Sequence, residues 1–336
     1  MYKCLAMAVS IMLTDAVLMA TPISGQEAQR RKDAIARFDA ELAKAGDDDG
    51  KLAVVRQATR DESIPDMRRE FMSRALALKA PGLEDWLIER LREEPDCMVR
   101  GEVALLLGKT GSPKAVDPLI AAAKSDAETT GEIGCIRMHG TVRRQAMFAL
   151  AEMGGRLADE RGKIIKALRA LPDRDDKQDH ESLHDVRRQA LYQLTGEKNL
   201  LDVFFRRLAD KEPKERIRGV VAFQFLKLRQ APAEIVALLR DTDEQVRSWA
   251  AVVLDRIGDP ATAPALMAAA ENANAGRNTR ANAIVALKNM KAQNSMELMK
   301  RLAKDGDEVI AFHAAAAIEA LQAAPKPPAS SDKPAE

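Results

Sequence analysis

The segment His180-Glu181-Ser182-Leu183-His184 holds the sharpest chemical pattern in the chain. Histidines at i and i+4 share one side of an α-helix, where both can bind zinc, and the glutamate after the first can draw a proton from metal-bound water. On that reading His180 and His184 are ligands and Glu181 is the general base of a zinc-dependent hydrolase. The chemistry requires both histidines on one helix. Ser182 followed three residues later by Asp185 looks instead like a capping box, which starts the helix near Leu183 and leaves His180 in the loop before it. A third ligand would then be a carboxylate such as Glu197 or Asp202, because the only histidine further along is His313. A second arrangement, Cys135, His139, His180 and His184, offers donors suited to a non-catalytic zinc or copper ion. A disulfide between Cys97 and Cys135 competes for the same cysteine. It would close a loop of about 38 residues, worth roughly 3.5–4 kcal/mol in loop entropy, and it needs Cα atoms within about 7 Å.

The element that positions these groups is a helical hairpin, clearest from Asp243 to Ala270. Asp243-Glu244-Gln245 is a polar helix start, after which Val246, Trp249, Ala250, Val253, Leu254 and Ile257 recur at helical spacing. Gly258-Asp259-Pro260 stops this helix, and Ala263, Leu266, Met267 and Ala270 mark a second one. Such a pair cannot bury both stripes alone, so neighbours of the same kind must stack on it.

An apolar residue followed by Arg recurs near each hairpin start: Met67-Arg68, Val99-Arg100, Val142-Arg143, Val186-Arg187, Ile217-Arg218, Val246-Arg247 and Thr279-Arg280, with Val309-Ile310 keeping the phase and losing the Arg. Successive markers are 32, 43, 44, 31, 29, 33 and 30 residues apart, a period near thirty with two insertions. Core positions are expected four and eight residues after each marker, among them Val221 and Phe225 in one unit and His313 in the last. The architecture expected is all-α, an α-α superhelix of about eight to nine helical hairpins. A helical cap occupies 26–61, the array 62–322, and a Pro-rich disordered tail 323–336. The insertions fall at 126–139 and 173–182. Both precede a first helix, which puts them on one edge of the array, together with Cys135, His139 and His180.

The pattern resembles HEAT repeats, in particular the short HEAT-like form of phycobilisome-lyase type. Asp243-Glu244-Gln245-Val246-Arg247 leading to Ala250-Ala251 and Ile257-Gly258-Asp259-Pro260 carries the likeness, as does Val99-Arg100 leading to Leu107-Gly108 and Ser112-Pro113-Lys114-Ala115-Val116. The resemblance implies an α-solenoid in which the recurring Arg builds a ladder of hydrogen bonds between repeats: Arg68, Arg100, Arg143, Arg187, Arg218, Arg247 and Arg280. It constrains function less, since such folds serve scaffolds, transport adaptors, bilin lyases and DNA glycosylases.

Composition narrows the classes. Lys+Arg number 52 against 51 Asp+Glu, so net charge supplies no footprint for nucleic acid or an anionic membrane. Basic second-helix positions such as Lys163, Lys166, Arg206 and Arg207 are interrupted by acids and read as a solvated face. No phosphate-cradling glycine loop, Cys-x-x-Cys or nucleophile elbow occurs. Residues 1–25 have the order of a signal peptide: Lys3, apolar Leu5 to Leu13 broken by Ser10, then small residues at Ala20 and Ser24-Gly25. Asp15 interrupts the apolar run and argues against a membrane span there. The function these features imply is an exported, periplasmic or secreted scaffold without a cofactor. It would bind another protein through its concave face and edge loops. The alternative is a metal-binding or zinc-dependent enzyme on the inserted edge.

Overall fold

The computed structural model describes residues 25–124, 141–171 and 183–323. Among the described residues there are 17 α-helices and no strand. The N-terminal pair is α1 (Gly25–Lys44) and α2 (Asp48–Asp61). Seven hairpins follow, each a first and a second helix: α3 (Pro65–Ser73) with α4 (Leu83–Glu93), α5 (Cys97–Thr110) with α6 (Val116–Lys124), α7 (Thr141–Arg156) with α8 (Ala158–Arg169), and α9 (Leu183–Thr195) with α10 (Asp202–Leu208). The last three are α11 (Pro213–Phe223) with α12 (Ala233–Ala237), α13 (Glu244–Ile257) with α14 (Ala263–Glu271), and α15 (Arg277–Asn289) with α16 (Met296–Leu302). A final first helix, α17 (Glu308–Gln322), packs on α15 and α16. The run Asp47-Asp48-Asp49-Gly50, which reads as a turn, is the start of α2: Asp47 is its N-cap and accepts the Gly50 N–H at 2.8 Å.

The best-formed hairpin shows why these residues fold this way. Asp243 caps α13 by accepting the Val246 N–H at 3.1 Å, which satisfies a donor that has no partner inside the helix. Val246, Ala250, Val253 and Leu254 are fully buried. The helix ends as the Gly258 N–H returns to the Leu254 carbonyl, and Asp259 caps the turn that follows through the Ala261 N–H. Each second helix packs against the first helix of the next repeat, and first helices pack on one another. Removing a leucine from water stabilises by about 1.5–3 kcal/mol, so the stacked layers, rather than any single hairpin, supply the stability.

The recurring arginines clamp the turns. In four repeats the same nitrogen, Nη1, donates to carbonyls six and five residues earlier: Arg68 to Glu62 and Ser63, Arg100 to Glu94 and Pro95, Arg216 to Asp210 and Lys211, Arg247 to Asp241 and Thr242. The rest of the guanidinium reaches the next repeat. Arg68 bonds Glu94 at 2.8 Å, Arg216 holds both oxygens of Asp241 at 2.7 Å, Arg247 donates to the Ala275 carbonyl, and Arg280 pairs with Asp305. Glu94, Asp241 and Asp305 each also accept the N–H two residues on, so one carboxylate closes a turn and receives the arginine. Arg143 and Arg187 donate to the carbonyls of Ala123 and Leu171, the ends of the preceding helical segments.

Two units differ from the spacing in the sequence. The clamping residue of the α11 repeat is Arg216, whereas Arg218 donates to Glu215 on its own helix. Val220 and Phe223 are the buried side chains there, while Val221 and Phe225 are half-buried. Gly219 fills the small-residue position three after the arginine, because its Cα faces the Leu208 backbone, where an added Cβ would come to 3.0 Å. In α17 the buried residues are Ile310 and Ala314, one later than the expected phase, which leaves His313 half-buried beside Ala314. The insertions at 126–139 and 173–182 lie outside the described residues, as do residues 1–24 and 324–336.

Candidate functional site

With the register set by the clamping arginines, the first helices from α5 on leave the same three positions unburied, two, five and nine residues after the arginine; Gln189 of α9, which is buried, departs from this. In α7 these are Gln145, Phe148 and Glu152; in α13, Trp249, Val252 and Arg256; in α15, Asn282, Val285 and Asn289. The spacing of three and four keeps them on one side of the helix, opposite the buried stripe. The middle position is apolar in every one of these helices: Leu105, Phe148, Tyr192, Val221, Val252 and Val285, then Ala316, all half-exposed. Stacked, they make one apolar stripe across the layer of first helices. Only 4% of the chain is aromatic, yet Phe148, Tyr192, Phe225 and Trp249 gather on this face. Phe148 and Phe225 stand 5.1 Å apart. Trp249 is 38% exposed, and Phe312 on the last helix is 70% exposed. Exposed large aromatics of this kind are enriched where proteins bind one another.

Polar groups on the same face are tied together across repeats. Asn289 Nδ2 donates to both oxygens of Asp255, at 3.0 and 3.1 Å. Asn282 donates to the Ser248 hydroxyl at 2.9 Å. Burial pushes the Asp255 carboxyl above its ordinary range, outweighing the Asn289 bond and the nearby Arg256 and Lys288 charges. His313 shifts the other way, lowered by burial and then by the positive charge of Lys288.

The residues singled out for metal chemistry are divided by what is described. His184 is half-buried in the first turn of α9, whose described part begins at Leu183. Its neighbour Asp185 is buried and pairs with Arg207. Cys135, His139, His180 and Glu181 lie outside the described residues. Cys97 is 1% exposed at the start of α5. No helix among the described residues is long and apolar enough to cross a membrane. The apolar stripe was not evident in the sequence, because it appears only after the register of α11 and α17 is corrected.

Comparison with known proteins bears on the repeats. A family model described as HEAT repeats matches residues 52–132 and 200–277. No curated protein matches the sequence. Among solved structures, human deoxyhypusine hydroxylase in complex with glycerol is similar at 16% identity, over 82% of this chain and 97% of that one, with a TM-score of 0.38. Kap121p is similar at 13% identity, over 91% of this chain and 37% of that one, with a TM-score of 0.42. An engineered protein is similar at 15% identity, over 80% and 96%, with a TM-score of 0.32. At those scores none of the three bears on what this chain does. Residues 52–132 and 200–277 thus carry HEAT repeats, within a described structure of stacked helical hairpins with clamped turns that is all-α.

Proposed function

We propose that this chain is an exported, non-enzymatic scaffold that binds another protein on the exposed face of its first helices, with the loops at 126–139 and 173–182 at the edge of that surface. The observation that carries the reading is the half-exposed apolar position that recurs on each first helix from Leu105 to Ala316, together with exposed Trp249 and Phe312. A stripe of that composition matches the apolar centre of a protein interface better than a solvated surface. Except between α9 and α11, first helices of neighbouring repeats pack closely, whereas neighbouring second helices touch at few points. The layer with the closer spacing is the inner side of a bend, which supports a concave position for this face.

Export is supported by the order of basic, apolar and small residues in 1–25. It would place Cys97 and Cys135 in a compartment where a disulfide persists. Cys97 is buried at the start of α5, which is compatible with that link. Free-thiol titration of the unreduced mature chain tests it, and two titrating thiols would reject it. Metal content separates this reading from a zinc-dependent hydrolase on His180, Glu181 and His184. A scaffold carries no zinc that His180→Ala/His184→Ala removes; one equivalent lost in that variant would favour the hydrolase.

The scaffold reading is tested by placing a photo-crosslinking amino acid at Trp249 and, as a control, at Lys300 on the second-helix side. A discrete protein adduct from position 249 and none from 300 is expected. The same adducts from both positions, or none from 249, would overturn it.

A further inference from the structure

We infer that the array is jointed between α9 and α10, with a polar clasp across the joint. The buried apolar side chains form two separate clusters, one ending at Leu194 and the other beginning at Leu201. Between them the chain crosses at Gly196, whose φ of +72° is one that side-chain-bearing residues rarely adopt. Neighbouring first helices from α5 to α17 pack along their lengths except at one place, where α9 and α11 touch at few points. Three independent features thus coincide at one seam.

Apart from half-buried Leu200, which packs on the first cluster, Tyr192, which packs on the second, and Phe148 against Phe225, what bridges the seam is polar. Gln189 donates to the Ala222 carbonyl at 3.0 Å and Gln193 to the Phe225 carbonyl. Arg207 pairs with Asp185, Arg169 with Glu197, and Lys227 reaches back to Glu152 on α7. The carbonyl oxygen of Gln189, only 1% exposed as a residue, finds no donor among the described residues. An apolar seam opens only by exposing surface to water, but amide and ion-pair contacts are exchanged for contacts with water at small net cost. Phe225 on Phe148 and Lys227 on Glu152 therefore act as a latch over α9, skipping one repeat. Lys227 itself has a φ of +50°, so the latch loop is held in an uncommon conformation. Released, the halves 25–194 and 201–321 bend about Gly196 as two stacked bodies.

Phe148, Tyr192 and Phe225 stand at the seam, so bending would change the width of the apolar stripe. That consequence rests on the scaffold reading; the joint itself does not. The test is a distance distribution by double electron–electron resonance on the full mature chain, without any partner. Spin labels are carried by non-natural side chains at Arg92 and Lys300, exposed residues on either side of the seam. A second pair at Arg240 and Lys300 lies within one half. In Phe225→Ala/Lys227→Gln the first distribution broadens and its mean shifts, while the second stays unchanged. Raising salt to about 0.5 M, where screening acts beyond about 4 Å, broadens the first pair of the native chain in the same direction. If the double variant loses helicity, Lys227→Gln alone, which removes only a surface ion pair, carries the comparison. A cross-seam distribution as narrow as the one within a half, in native chain and variant alike, would overturn the joint. Failure of the scaffold reading would leave these distances as they are.

Discussion

Arg216 and Arg218 stand two residues apart on one helix and hold different things. Arg216 is 11% exposed at the side chain, bonds two carbonyls and forms a bidentate pair with Asp241. Arg218 has an i,i+3 partner, Glu215, at the surface of the same helix. Arg216→Gln should cost about 2–3 kcal/mol by urea unfolding, and Arg218→Gln about 0–0.5 kcal/mol. Equal costs would mean that the clamp is misassigned. Burial alone would raise the Asp241 carboxyl, but the Arg216 bond and the Asp243 N–H hold it below its ordinary value. Arg280 and the Asp307 N–H do the same for Asp305. A depressed carboxylate contributes stability above its unfolded pKa, near 4, and loses it as pH falls through the folded value. The clamps should therefore fail in acid. Asp255 has the opposite sign: its folded pKa is raised, so ionisation at neutral pH opposes folding. Asp255→Asn should raise Tm at pH 7 and lose that advantage as pH falls toward 4. A variant less stable than the native chain at pH 7 would contradict this account of the Asn289 contact.

Helix packing depends on small residues where first helices cross. A Cβ added at Gly108 of α5 would lie 2.6 Å from the Ala149 Cα of α7, a backbone atom that cannot move aside cheaply. Gly108→Ala should cost about 1–3 kcal/mol by forcing the two helices apart, measurable as a lowered urea midpoint. A neutral effect would show that α5 and α7 have slack. The hairpins themselves were legible in the sequence because apolar residues recur at 3.6-residue spacing and Asp243, Gly258 and Pro260 punctuate them. The register of α11 was not. Asp210 and Glu212 both stand six residues before an arginine, so the spacing fits Arg218 as well as Arg216. Gly219 was the discriminating signal, since the position three after each clamping arginine contacts a neighbouring helix and is often small. In α17 no arginine marks the phase, and Val309, which stands where the marker is expected, is exposed one residue before the buried Ile310.

For the molecule as a whole, the sequence disclosed a stacked array of helical hairpins but not the face it exposes. An apolar position such as Val285 or Tyr192 reads as core until the register shows that it points away from the second helices. The chemistry suggested by His180, Glu181 and His184 depends on residues outside those described, and metal content decides it. The central claim is that the first-helix stripe is where a partner docks. Its most direct test is the dissociation constant of the partner identified by crosslinking, measured for the native chain, Trp249→Ala/Phe312→Ala, and the second-helix control Lys300→Ala/Arg301→Ala. Buried aromatic anchors carry about 2 kcal/mol or more each, so the aromatic double variant should bind at least tenfold more weakly. The control should bind like the native chain. A loss confined to the control, with the aromatic variant unaffected, would contradict the account.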